Sequence, residues 1–392
     1  MSPSVIVDVI LLLLLLSALI QGYRSGLVRS VSGIVGALAG GAAALLVVPL
    51  VPTWVPAPEW RVPATVAAAL LLVLLGLTIG SSIGSGIAHR LRKTAFGVID
   101  RLLGAVATLV ATALVLGMLA LSIGSLGVPV LSPALGSSAV IRSIDGLTPD
   151  PVKSFVAQVR ASVLQEGLPR IVDAFTGEDP VLPQFDTNGA PLQAASASVV
   201  RITGNAYACG QSQSGSGFVI SPQRVVTNAH VVAGVDQPVV ETTDGALPGR
   251  VVYFDPVDDL AVIAVDDLAA APLGTAEDLA VGQRAVTEGY PFGGPFDADP
   301  AEVLALGPLA IPDIYGANPA PRQVYTLAAD VQQGESGGPL LTEDGRVAGV
   351  IFAKGTTTAN VGYALAMSEL APVAEAAPGL TEPVTAGTCV RG

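Results

Sequence analysis

A serine between glycines, an imidazole beside a strand and a carboxylate ahead of an apolar run can together break an acyl bond. Ser336 lies in QQGESGGPLL, at 332–341. A serine hydroxyl is a weak nucleophile until a base takes its proton. The chain has two histidines, and one of them, His89, sits in a basic cluster at the edge of an apolar segment. That leaves His230, in RVVTNAHVV, as the base. The base in turn needs an acid that fixes its tautomer. Asp259, in DDLAVIAV, is drawn inward by the apolar run after it, with Asp258 as its competitor. GESGG also satisfies a G-x-S-x-G pattern, but that motif requires a helix after the serine. Here PLL and TEDGR follow, which read as a strand and a hairpin turn.

These residues need a rigid frame. From about residue 194 the chain becomes a series of short β-branched runs separated by turns: SVVRITG, GSGFVIS, RVVTNAHVV, GRVVYFD, LAVIAV and RVAGVIFA. Such runs predict an all-β barrel or sandwich. Ahead of them, the composition of residues 127–191 turns rich in Pro, Ser, Gly and Asp, and 131–193 reads as a linker with short amphipathic helices. Within it, 150–175 carries apolar residues at helical spacing, among them Val152, Phe155, Val156 and Val159. Its Pro/Gly-rich ends are where proteolytic nicking concentrates.

The first third has a different composition. The whole chain is 51% hydrophobic and 13% charged, with a mean hydropathy of +0.62. Soluble domains carry roughly 25% charged residues. Four apolar segments, at about 5–23, 27–52, 62–88 and 98–126, are each long enough to span a bilayer as a helix. Arg24 and Arg29 follow the first segment, and Arg90, Arg92, Lys93 and Arg101 follow the third. The loop between the second and third holds only Arg61, with Trp54 and Trp60 as interfacial anchors. Positive loops stay in the cytoplasm, so both termini and the β-rich domain are expected outside it. Small residues recur at fourfold spacing: Ser32, Gly36, Gly40, Ala44 and Gly76, Gly80, Gly84. They suit close helix packing, within one bundle or between copies. Asp8 lies inside the first span, either for function or reaching the headgroups.

The net charge is −13, which opposes nucleic acid as a partner. Cys209 and Cys389, 180 positions apart, are too few for a zinc site. In an oxidising compartment they read as a disulfide, and otherwise as two buried thiols. No metal or cofactor is expected.

The four spans resemble the colicin V production family over roughly 1–130. GSGFVIS, VVTNAHVV, DDLAVIAV and GESGGPLL resemble the trypsin-like proteases of the chymotrypsin clan, above all the Deg branch, over about 194–373. The order His230, Asp259, Ser336 is also that of chymotrypsin. Together the two parts resemble the membrane-anchored acid-resistance serine proteases of actinobacteria, the MarP family. That resemblance implies a four-helix transmembrane bundle followed by a chymotrypsin-like double β-barrel at 194–392, with two six-stranded barrels. It implies a periplasmic serine endopeptidase acting on protein or peptide substrates in acid or oxidative envelope stress. The alternative is a membrane sensor or scaffold whose protease-like domain only binds peptides. An oligomer of the membrane domain or a regulatory partner is compatible with either.

The resemblance also assigns residues. His230, Asp259 and Ser336 form the triad, and the backbone N–H groups of Gly334 and Ser336 form the oxyanion hole. Asp330, six residues before Ser336, takes the place of an acidic pocket floor, with Phe352, Ala353 and Lys354 as the wall. Lys354 could neutralise Asp330, so a basic and an uncharged P1 preference both stay open. Glu335 replaces the Asp that pairs with a new amino terminus in digestive enzymes, and is either partnered or exposed. No PDZ-like segment follows the barrel, so Deg-style allostery through one is not expected.

Overall fold

The computed structural model describes residues 3–47, 50–54, 58–91, 97–124, 131–164, 170–171, 179–206, 211–356 and 358–390. They form two compact units, Asp8–Gly117 and a second made of Met1–Val7 with Met118–Gly392.

The first unit is helical: α1 (Pro3–Ser25), α2 (Leu27–Val47), the short α3 (Val51–Trp54), α4 (Pro58–Leu91) and α5 (Gly97–Gly124). Among the described residues four helices are long and apolar enough to cross a membrane: Pro3–Ser25, Leu27–Ala44, Ala67–Ala88 and Gly97–Ala120. A helix satisfies its own backbone, which lipid cannot do. Gly26, at φ 79°, turns the chain between α1 and α2. Asp100 of α5 accepts from Val28 N at 3.2 Å and so supplies a cap for α2. The two small-residue ridges meet each other. A Cβ on Gly36 would lie 2.1 Å from Gly76 O, and one on Gly80 would lie 2.1 Å from Ser32 O. No side chain fits there, so α2 and α4 touch backbone to backbone.

The second unit opens with α6 (Leu131–Gly136), α7 (Ala139–Leu147) and α8 (Asp150–Leu164). Ser138 Oγ accepts from Ile141 N and caps α7, which buries Ile141 and Ile144. Apolar spacing of helical period runs from 150 to 175 in the sequence, which reads as one or two short amphipathic helices in the linker. The described helix stops at Leu164, and residues 170–171 form a strand instead.

That strand is β1 (Arg170–Ile171); α9 (Ala190–Ser196) follows it. The first barrel contains β2 (Val199–Ala206), β3 (Gln211–Ser221), β4 (Arg224–Thr227), the one-turn α10 (Ala229–Val232), β5 (Val239–Thr242), β6 (Gly245–Asp255) and β7 (Leu260–Val265). It closes in the order β2-β3-β4-β7-β6-β5 around Val200, Ile202, Val219, Val225 and Ile263. The second is made of β8 (Arg284–Gly289), β9 (Asp297–Ile311), β10 (Ala320–Ala328), β11 (Pro339–Leu341), β12 (Val347–Gly355) and β13 (Val361–Ala366), then α11 (Met367–Ala376). Its order is β12-β11-β8-β9-β10-β13, and pairing of β12 with β13 closes the ring. Closure removes free edges and fixes strand positions, so loops between strands can hold side chains in set places. One edge is an exception. β11 covers β12 only as far as Val350, and β1 pairs in parallel with Lys354 and Gly355 beyond it.

Candidate active site

Each of the three chemical residues stands at a strand end. His230 follows β4 on α10, Asp259 immediately precedes β7, and Ser336 lies just ahead of β11. β4 and β7 are paired, with Thr227 opposite Ala261, which brings the imidazole and the carboxylate together. His230 Nδ1 lies 2.8 Å from Asp259 Oδ2, and the His230 backbone N–H donates to Oδ1 at 2.9 Å. A carboxylate only accepts, so Nδ1 carries the hydrogen and Nε2 keeps its lone pair. Asp259 is 3% exposed and sits at φ 56°, a left-handed conformation that aims its side chain back at the histidine. Asn228 Nδ2 donates to the Asp259 carbonyl at 2.9 Å and holds that turn. The competitor Asp258 makes no such bond to the ring; burial and the nearby Asp255 push its carboxyl up.

Ser336 is brought in from the second barrel. Its carbonyl accepts from Ser216 N at 2.8 Å. Gly337, at φ 84°, fits where a Cβ would meet Ser216 O and Thr227 Oγ1, both at 2.3 Å. Thr227 leads directly into Asn228 and His230, so this contact sets the nucleophile segment beside the base. Ser336 Oγ is buried and makes no hydrogen bond, so it is not bonded to His230 in this structure.

Gly334, at φ 96°, requires glycine twice over. Its backbone is left-handed, and a Cβ would come within 2.5 Å of Tyr290 O. The Gln333 carbonyl accepts from Phe292 N. In a trans peptide C=O and N–H point opposite ways, so the Gly334 N–H is turned from Phe292. Ser216 Oγ donates to the Gly334 carbonyl at 2.7 Å and accepts from Tyr290 N at 2.9 Å. Ser216 was not singled out from the sequence, where it is one serine among several in QSQSGSG.

Glu335 is buried, 1% exposed, which removes the exposed alternative. Its Oε2 accepts from Gln332 N at 2.6 Å, and Oε1 has no hydrogen-bond partner. Burial pushes this carboxyl up to about 8, against the Gln332 N–H and helped by Asp299, Asp297 and Asp330. Glu288, equally buried on β8, is also pushed up to about 8 by burial. Neither burial was visible in the sequence.

A cavity of about 400 Å³ opens beside this turn, lined by Asp330, Val331, Lys354, Thr358 and Asn360 among others. Asp330 is at the surface, and its carboxylate accepts from Gln332 Nε2 at 2.5 Å. Phe352 and Ala353 are buried core residues and do not line that cavity. Of the two cysteines, Cys389 lies against Gly234, and Cys209 is outside the described residues. No group of three or more metal-ligating side chains occurs among the described residues.

Two closed barrels, with a histidine–carboxylate pair from one and a glycine-bounded serine from the other, define a trypsin-like serine protease. The comparisons agree. Residues 215–350 match the trypsin-like peptidase domain, and residues 7–149 match the colicin V production protein family. The chain is 36% identical over 398 residues to the serine protease Rv3671c of Mycobacterium tuberculosis, covering 100% of both. It belongs to that family. The crystal structure of the active form of the Rv3671c protease superposes with a TM-score of 0.51 at 41% identity, covering 56% of this chain and 100% of that one. A probable periplasmic serine endoprotease, DegP-like, from Halomonas elongata is 35% identical over 172 residues, which is 41% of this chain and 34% of the relative.

Proposed function

We propose that this serine protease is anchored by its four apolar helices and works outside the cytoplasm through Ser336, His230 and Asp259. The observation that carries the triad is the doubly bonded His230–Asp259 pair, which leaves Nε2 free to take a proton. Ser336 attacks the peptide carbonyl, breaking its O–H bond as His230 takes the proton. The tetrahedral oxyanion is held by the N–H groups of Gly334 and Ser336. His230 then returns the proton to the leaving amine, and water repeats the sequence on the acyl-enzyme. An extended peptide adds to the β12 edge at Lys354 and Gly355 in place of β1, beside the cavity that takes its P1 side chain. With Asp330 already bonded to Gln332 and Lys354 on the same rim, the cavity favours an uncharged P1 residue.

In this reading 1–130 is the membrane domain, 131–193 the linker and 194–392 the protease. The excess of Arg and Lys in the first and third loops supports an extracytoplasmic protease. Cys389 and Cys209 pair in that oxidising space; no free cysteine occurs among the described residues. Resistance to acid or oxidative envelope stress is the role we assign. The test is labelling of the full chain with a fluorophosphonate, beside Ser336→Ala. Labelling of the wild type alone is expected, and equal labelling of both would refute Ser336 as nucleophile.

A further inference from the structure

Residues 290–294 decide which way the Gln333–Gly334 peptide faces, and something must hold them. Phe292 sits at φ 56°, a left-handed conformation that a non-glycine residue adopts only under strain. Gly293 N donates to Tyr290 O at 2.8 Å and Gly294 N to Pro291 O at 2.9 Å within the turn. From outside, Ser216 Oγ accepts from Tyr290 N at 2.9 Å at the start of the turn, and Arg201, from the middle of β2, holds its far end. Its Nη1 donates to Gly293 O at 2.8 Å and reaches Gly294 O at 3.4 Å. Its Nη2 donates to Glu241 Oε2 of β5, and its guanidinium lies 5.9 Å from the Tyr290 ring centroid. The Glu241 carboxylate is further fixed by Thr203 Oγ1 at 3.4 Å. Arg201 and Glu241 keep only 16% and 15% of their side-chain surface accessible. On the other side, Ala157 of α8 abuts Gly294.

A guanidinium suits this task because one planar fork can bond a carboxylate and a carbonyl at once. The chain of contacts runs Glu241, Arg201, Gly293, Phe292 N, Gln333 O. Released from it, the 290–294 turn relaxes, Phe292 N withdraws, and the Gln333 carbonyl can rotate into the space meant for the oxyanion.

We propose that Arg201, braced by Glu241, is a positioning residue that sets the oxyanion hole by holding residues 290–294 against Gln333. The proposal rests on the triad assignment above. It makes hole assembly depend on a pair of residues in the first barrel.

The test uses the full chain in detergent, with a fluorogenic peptide and a peptide boronate. Arg201→Lys keeps the charge beside Glu241 but loses the fork. The expected result is a kcat lower by about 10²-fold with KM within twofold, the size of losing one oxyanion donor. Boronate affinity should fall in step with kcat, and the unfolding midpoint should stay within a few degrees. In Arg201→Ala, added methylguanidine should restore part of the kcat. Glu241→Gln, which keeps an acceptor for Nη2, should lose less than either. Unchanged kcat in Arg201→Lys, or a loss carried by KM alone with boronate affinity intact, would overturn the proposal. Failure of the wild type itself to label with fluorophosphonate would overturn the triad reading, and this inference with it.

Discussion

At the scale of single residues, the site separates groups that react from groups that aim. Asp259→Asn removes the acceptor that selects the Nδ1–H tautomer, so kcat should fall by about 10⁴-fold while Ser336 and its turn stay in place. Steady-state kinetics on a fluorogenic peptide would read that loss. Gly334→Ala puts a methyl 2.5 Å from Tyr290 O and should cost both kcat and folding stability, visible as a lower unfolding midpoint. Glu335 makes stability depend on pH in a direction opposite to that of an ion-paired carboxylate. Its native pKa is about 8 against an ordinary 4.5, so between those values the folded state binds more protons than the unfolded one. Stability is then greatest below pH 4.5 and is lost as pH rises through about 8. Melting curves across that range should show a falling midpoint, and Glu335→Gln should flatten the slope, with Glu288 supplying the remainder. The His230–Asp259 pair and the Ser336 turn were legible in the sequence because these residues sit in short, dense motifs. Arg201 and Ser216 were not, since their partners lie 92 and 118 residues away and no local pattern marks either.

At the scale of elements, the β-branched runs announced the barrel strands, and the long apolar segments announced the helices. Period and length carry that information locally. What could not be read was which glycines face which. The ridges of α2 and α4 are now seen to face each other, so Gly36→Leu should separate these helices. Cross-linking between cysteines introduced at Gly33 and Ser81, where a Cβ on Gly33 would lie 3.6 Å from Ser81 Cβ, should report it, as a lower yield in Gly36→Leu than in the parent pair. Periodicity alone also did not show that the helical spacing of 150–175 includes a strand at residues 170–171. That strand, β1, lies along the free part of β12 in the parallel sense. Ile171→Pro, which removes a backbone donor from β1 and leaves α8 in place, should open that edge and lower KM for a peptide substrate by several-fold, with kcat little changed.

At the scale of the whole molecule, a hydrophobic third and an acidic soluble part share one chain, and the hydropathy contrast alone reveals the division. If the basic loops orient the helices as proposed, a reporter fused after Gly392 should be active only outside the cytoplasm. A cytoplasmic signal would invert the arrangement. The pairing of β1 with β12 carries a further consequence for how substrates compete. A peptide segment joined to its own enzyme meets the cleft at an effective concentration that short linkers set in the millimolar range. A diffusing substrate must outcompete that fixed local supply, however dilute the enzyme is. The apparent KM should therefore be independent of enzyme concentration, whereas an edge filled by a neighbouring molecule would empty on dilution.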